Sequence, residues 1–249
     1  FDYIDAVYTP EDVQAMIENI RKNQSKSDTF SVFLYGELKN EISRLYDMMG
    51  TKYIRQNKLQ DALVAFDKAD NRYWNRAHTS WEDNADVFDQ NPFYRLKYTP
   101  AFIHPVDTIR LTKPSITKQL IHYINRAEDK KEKDRDYYYF LVANAYYNMG
   151  HEGNTWMMRR LGGWSGYYLS LFEDEVEFRQ TNLARHYYSM AKQYAQTNEF
   201  KALCVRMLMR CERNRIEYTY ISSSYFNDDN RQKELANNRY YLDLKANYP

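Results

Sequence analysis

Backbone punctuation is scarce in this chain and gathered into two places. Seven glycines and six prolines occur in 249 residues, about 5% where roughly 12% is usual. Pro92, Pro100, Pro105 and Pro114 fall within residues 92–114, and five of the seven glycines fall within residues 150–166. β-Sandwiches and barrels need a turn signal about every 8–12 residues, and this sequence does not supply one. Low-complexity or disordered chains are equally disfavoured, because 25 tyrosines bring more aromatic surface than such segments carry. The expectation is an all-α protein whose helices are faced with tyrosine.

Charge narrows the function classes. Lysine and arginine total 35, aspartate and glutamate 34, and the net charge is +1. A nucleic-acid binder needs a basic surplus or stripe, so no nucleic-acid partner is expected. No stretch approaches the roughly 18 consecutive apolar residues of a membrane span, and the first residues show no charged-then-apolar pattern of a signal peptide. Starting at Phe1 and stopping at Pro249 directly after a helix-like run, the sequence reads as a piece of a longer protein. Cys204 and Cys211 lie two helical turns apart, about 10 Å, too far for a disulfide within one helix. They read as buried thiols.

Helix signals follow in order. Thr9-Pro10-Glu11-Asp12 is a helix start, with a threonine cap, proline in the first position and acids in the first turn. Val13, Met16, Ile17 and Ile20 then form one apolar stripe. Leu34, Leu38, Ile42, Leu45, Met49 and Tyr53 predict a single long helix over 31–56. Ala62, Leu63, Phe66 and Ala69 carry the next helix, packed back on it. Residues 71–114 lack periodicity and read as an ordered excursion or functional loop. Helix resumes near Ser115, with Ile116, Leu120, Ile121 and Ile124 on one side. The nine charges of 128–136 form a solvated turn, after which helices are expected over 137–149, 177–195 and 199–220. A last amphipathic stretch includes Leu235, Leu242 and Leu244.

Tyr46, Met49, Gly50, Tyr53, Ala62, Phe66 and Ala69 have the order and spacing of a tetratricopeptide repeat. The segment resembles that family over one full repeat, with Trp74 where the family often has proline. Tyr139, Val142, Ala143, Asn144, Ala145, Tyr146 and Tyr147, followed by Met149-Gly150, resemble the first helix of a second repeat. Its second helix, around 155–160, departs from the pattern. Ala184, Tyr187, Ala191, Tyr194, Phe200 and Ala202 resemble a third. Tyr53, Tyr146 and Tyr194 are 93 and then 48 residues apart, not the constant spacing of about 34 in a regular array. The resemblance implies an irregular tetratricopeptide-like α-α superhelix with two non-repeat excursions. It would form one domain over 1–249, with N-terminal helices at 1–42, a first repeat at 43–76 and an excursion at 77–114. Divergent repeats and C-terminal helices would fill 115–249.

Such a scaffold binds a protein or peptide on its concave face. Aligned on the family, the inward residues are Arg44, Asp47, Thr51 and Arg55 from the first repeat. Tyr137, Phe140, Asn144, Tyr147 and Asn148 come from the second, and Arg185, Tyr188 and Lys192 from the third. Some members grip a carboxy-terminal peptide with a lysine-asparagine-arginine clamp. Here Asp47 and Phe140 stand at lysine-type positions and Asn144 alone matches. The ending from Tyr240-Tyr241-Leu242 to Tyr248-Pro249 is similar to inter-repeat junctions of envelope-associated repeat lipoproteins of Gram-negative bacteria, implying a periplasmic or outer-membrane setting.

Catalytic patterns are incomplete. Gly163-Trp164-Ser165-Gly166 resembles a nucleophile elbow, but the glycine required two places after the serine is Tyr167. No lysine-serine or lysine-threonine pair follows the glycines, so no phosphate loop is formed. His78, Glu82, Asp83, Asp86, Asp89 and His104 make no complete metal motif, and His122, His151 and His186 are scattered. Glu173, Asp174, Glu175 and Glu177 read as acids capping a helix start. The expectation is therefore a non-enzymatic module with no cofactor and no metal. The tyrosine crowd from Tyr137 to Tyr168 has two readings, packing between repeats or a binding platform. A second function class, glycan capture, uses Trp156, Trp164 and Tyr167 as stacking surfaces, since some envelope-bound sugar-binding proteins are built on the same repeats.

Overall fold

Capping chemistry sets the first long helix. The Thr9 amide and hydroxyl both donate to Asp12 Oδ2 (2.9 and 2.8 Å), and the Asp12 amide donates back to Thr9 Oγ1, a reciprocal capping box. This computed structural model describes residues 1–23, 25, 28–76, 91–96, 100, 103, 109–161, 172–222 and 228–248. Among them every regular element is helical and no strand occurs, so the protein is all-α. The α-helices are α1 (Asp2–Val7), α2 (Pro10–Asn23), α3 (Thr29–Tyr35), α4 (Ile42–Arg55), α5 (Leu59–Phe66), α6 (Asn71–Arg76) and α7 (Lys113–Glu128). They continue as α8 (Arg135–Asn148), α9 (Glu175–Gln180), α10 (Asn182–Tyr194), α11 (Asn198–Ser222), α12 (Asp228–Ala236) and α13 (Arg239–Asn247). No helix among the described residues is long and apolar enough to cross a membrane.

The chain forms two compact units that alternate along the sequence. The first comprises Phe1–Asp89, Ile109–Lys118 and Met157–Asp174, the second Gln90–Thr108, Gln119–Trp156 and Glu175–Pro249.

In the first unit α4 packs against α2 and α5. The core is Val13, Ile17 and Ile20 of α2, Leu45, Met48 and Ile54 of α4, and Ala62, Ala65 and Phe66 of α5. Asn57, at φ 57°, ends α4 in the left-handed conformation asparagine tolerates and turns the chain into α5. Gly50 lies against the Phe66 ring so closely that a Cβ there would overlap it. Trp74 closes this corner edge-on to Phe66, with ring centroids 5.6 Å apart. Gly50→Ala gains up to about 1 kcal/mol of helix propensity but overpacks the contact by about 1–3 kcal/mol. The variant should therefore be less stable in urea, and Phe66→Leu should recover part of the loss. A neutral or stabilising Gly50→Ala would show that the helices part freely here.

In the second unit α8 is buried on nearly every face, including Tyr139, Phe140, Val142, Asn144 and Tyr146. A helix buried on nearly every face lies at the centre of its fold. α10 packs on it and α11 on α10. Tyrosine pairs mediate the contact: Tyr146 stacks on Tyr187 at 5.5 Å and Tyr139 on Tyr194 at 5.6 Å. The described part of the tyrosine crowd is thus largely core.

The single helix expected over 31–56 is instead α3, a short 3-10 helix (Leu38–Glu41) and α4. The break falls at Gly36, whose amide closes α3 on the Val32 carbonyl at 2.8 Å and where a Cβ would overlap that carbonyl. The helix expected over 177–195 is two, α9 and α10, broken at Thr181 with φ 53° and ψ 48°. Glu177 compensates by accepting the amides of Asn182 and Leu183 at 3.0 and 3.1 Å. The departing helix around 155–160 is a 3-10 turn, Trp156–Met158, and the last amphipathic stretch is α12 plus α13. The charged run is the expected turn between α7 and α8, although Asp136 within it is buried. Most of the 77–114 excursion lies outside the described residues, but 91–96 is packed, with Phe93, Tyr94 and Leu96 buried.

Candidate functional site

The four first-repeat candidates lie on α4 in the first unit, and three are buried. Asp47 accepts Lys113 Nζ and Tyr73 Oη, each at 2.7 Å, and Thr51 Oγ1 at 3.3 Å. Thr51 accepts Lys113 Nζ at 3.0 Å. Arg55 donates to Asp5 Oδ2 (2.6 Å) and to the Arg159 carbonyl (2.7 Å). Arg44 is half-exposed, with its guanidinium over the Phe1 ring at 4.1 Å.

Arg55 belongs to a buried ionic cluster with Asp5, Lys52, Arg159, Arg160 and Asp174. Arg159 and Arg160 each donate to one Asp174 oxygen at 2.7 Å. Burial on its own raises the Asp174 carboxyl, yet Arg159, Arg160 and Arg55 outweigh it and hold the group below the ordinary carboxylate value. Burial pulls the Lys52 ammonium down, against the opposing attraction of Asp5. The expected acid run thus divides its labour: Asp174 joins this cluster, Glu175 pairs with Arg179 at 2.9 Å, and Glu177 caps α10.

In the second unit the candidates on α8 and α10 mostly face inward. Asn144 Nδ2 donates to the Phe93 carbonyl and its Oδ1 accepts Tyr188 Oη, both at 2.6 Å. Asn148 Nδ2 donates to the carbonyls of Pro92 and Arg95 at 2.7 and 2.9 Å. Phe140, Asn144 and Tyr188 have no exposed surface. These residues fasten segment 91–96 onto α8. Tyr137 is half-buried, and burial pushes its phenol up to about 12. Arg185 bonds Asn182 at 2.9 Å, and Lys192 pairs with Asp243 at 2.9 Å. Positions expected to line an open concave surface are therefore largely interior. Trp156 is half-buried, while Trp164 and Tyr167 lie outside the described residues, as do His78, Glu82, Asp83, Asp86, Asp89 and His104.

Tyr147 differs from its buried neighbours because it also borders open space. It forms part of the wall of a cleft of about 860 Å³ within the second unit, enclosed by the end of α8, α9, α11, α12 and α13. That volume falls in the range of about 300–1,000 Å³ typical of ligand pockets. Met209, Ile221 and Leu235 give it apolar walls, and Asn214 and Gln232 give it amides. Arg179, Arg210, Arg213, Glu152 and Glu217 supply charge. The Arg210 guanidinium lies 5.1 Å from the centre of the Tyr147 ring. Burial raises the Tyr147 phenol, against the opposing effect of Arg210 and Asn214, so it is a neutral donor at physiological pH. Hydrogen bonding to His151 is the chief reason Glu152 is held low, with Arg213 and Arg179 contributing.

Among the cleft residues, Tyr147 is a position to which the family alignment points. Arg210 is not, because it lies on the long α11 with no motif around it. Cys204 and Cys211 are buried thiols; burial raises both, Cys211 to about 12, so neither is a thiolate near neutrality. No group of three or more histidine, cysteine or acidic residues able to hold a metal occurs among the described residues. No protein-family model, curated protein or solved structure matches the chain.

Proposed function

We propose that the protein is a non-enzymatic helical scaffold, built on divergent tetratricopeptide-like hairpins, that holds a peptide segment of a partner protein. The single observation carrying this reading is the second-unit cleft, where apolar walls, side-chain amides and arginines converge in a ligand-sized space. A peptide presents the complementary set: apolar side chains, backbone amides and charge. Supporting the hairpin ancestry is the close approach of Gly50 to Phe66, the contact the family grammar requires. The buried first-helix positions move the binding surface away from the family's usual face and toward the groove at α11.

The test uses the whole chain, since neither unit is a continuous stretch of sequence. A displayed peptide library is panned on it and the enriched peptides are measured against Ala236→Trp, which fills the cleft from an exposed helical position. Enriched peptides should bind the variant about tenfold or more weakly, equivalent to roughly 1.4 kcal/mol. Failure to enrich any peptide, or equal binding to the variant, removes the reading. An oligosaccharide array run in parallel serves the second function class: glycan binding that Trp156→Ala abolishes, without peptide binding, replaces the peptide by a sugar.

A further inference from the structure

Charge pairing inside the cleft singles out one cation. Arg179 is matched by Glu175 at 2.9 Å. Glu217 faces Arg231 at 2.9 Å and Arg213 at 3.7 Å. Glu152 is bonded by His151 at 2.9 Å. Arg210 has no carboxylate within ion-pair distance among the described residues, and its contacts are the ring and the hydroxyl of Tyr147. Nor does any acid occur in 223–227, the stretch between α11 and α12. A half-buried guanidinium loses part of its hydration and gains nothing from a counter-charge, an arrangement that favours an incoming anion.

The setting also orients it. The guanidinium nitrogens not turned toward the Tyr147 hydroxyl remain able to donate two parallel hydrogen bonds, the geometry a carboxylate accepts. Tyr147 stands beneath as a neutral phenol, with Asn214 also facing its hydroxyl. Met209 and Ile221 on the same helix supply apolar contacts on either side. A free inorganic anion would leave those walls unused, whereas an acidic group carried on a peptide uses both.

We propose that Arg210 is the anchor of the cleft and that the bound segment carries a carboxylate, which it grips edge-on above Tyr147. This rests on the peptide reading of the cleft. The carboxylate belongs either to an aspartate or glutamate side chain or to a chain terminus. Arg210 is not at any of the family's clamp positions, of which Asp47, Phe140 and Asn144 are buried.

Peptides selected on the whole chain decide the matter by fluorescence anisotropy. Each is compared with its glutamine or asparagine version and with its C-terminal amide. Neutralising the gripped carboxylate should weaken binding to the parent about ten- to hundredfold, as expected for a charge-assisted bond. The version that loses affinity tells side chain from terminus. Arg210→Gln should bind the acidic and neutral peptides equally, and Lys245→Gln, at an exposed position that does not line the cleft, should keep the parent's preference. Selected peptides that lack any carboxylate, or that bind Arg210→Gln as tightly as the parent, overturn the anchor while leaving the peptide reading intact. No selected peptide at all is the failure of that reading itself. Should Arg210→Gln not fold, the amide peptides measured on the parent still decide.

Discussion

Replacing Asp174 by alanine is expected to cost the fold about 3–5 kcal/mol, the usual penalty for removing one partner of a buried ion pair. The surplus charge left behind is the reason. Arg159 and Arg160 are 1% and 4% exposed, and each spends a guanidinium nitrogen on Asp174. Water cannot take over that role without opening the cluster. An exposed pair would cost about 0–1 kcal/mol, so the magnitude itself discriminates. A denaturant midpoint shift corresponding to less than about 1 kcal/mol would mean that the pair behaves as a surface bridge. The pH dependence has a definite sign. The folded Asp174 pKa is depressed, so its stabilisation is fully present above the unfolded value of about 3.9 and disappears as pH falls through the folded value. The gap between the parent and Asp174→Asn should be constant near neutrality and close below about pH 4. A gap that widens on acidification contradicts the assignment.

Asn144→Ala should be nearly as costly, and it separates structure from binding. The side chain satisfies two buried groups at once, the Phe93 carbonyl and the Tyr188 hydroxyl. Each orphaned group costs about 1–3 kcal/mol, giving a total of roughly 2–6 kcal/mol. Tyr188→Phe removes one partner only, and because both changes break the same bond their combined loss should fall short of the sum. Hydrogen exchange in 91–96 should accelerate in Asn144→Ala, since that segment is held partly through this amide. An unchanged midpoint with lost peptide binding would instead make Asn144 a contact residue.

Legibility followed the range of the signals. The start of α2 could be read because its cap is spelled by Thr9, Pro10 and Asp12 within four residues. The α4–α5 hairpin could be read because Gly50, Ala62 and Phe66 repeat a spacing imposed by close helix packing. The break at Thr181 could not, because no glycine or proline marks it: a threonine holds the left-handed turn and Glu177 supplies the cap. Asp174 looked like a helix-capping acid because its partners lie 14 and 15 residues earlier, across a glycine-rich stretch without periodicity. Asn144 and Asn148 stand at concave-face positions of the family alignment, but both donate to backbone carbonyls, which carry no sequence signature, and Asn144 also accepts the Tyr188 hydroxyl. Arg210 was invisible for a related reason. An unmatched charge is defined by what fails to arrive beside it, and that is known only when α9, α11 and α13 are assembled.

The alternation of the two units along the chain bears on how the protein is made. Arg55 finds Asp5 as soon as the first helices emerge, but the carbonyl it also needs belongs to Arg159, 104 residues later. At about 5–20 residues per second on a ribosome, that partner trails by roughly 5–20 s. Throughout that interval a segment rich in cations, with Lys52 and Arg55 on one helix, waits for its final counter-charges while sequence destined for the other unit passes through the exit tunnel. Because the segments of the two units alternate, synthesis of the second unit begins before the last segment of the first, which carries Asp174, has been added.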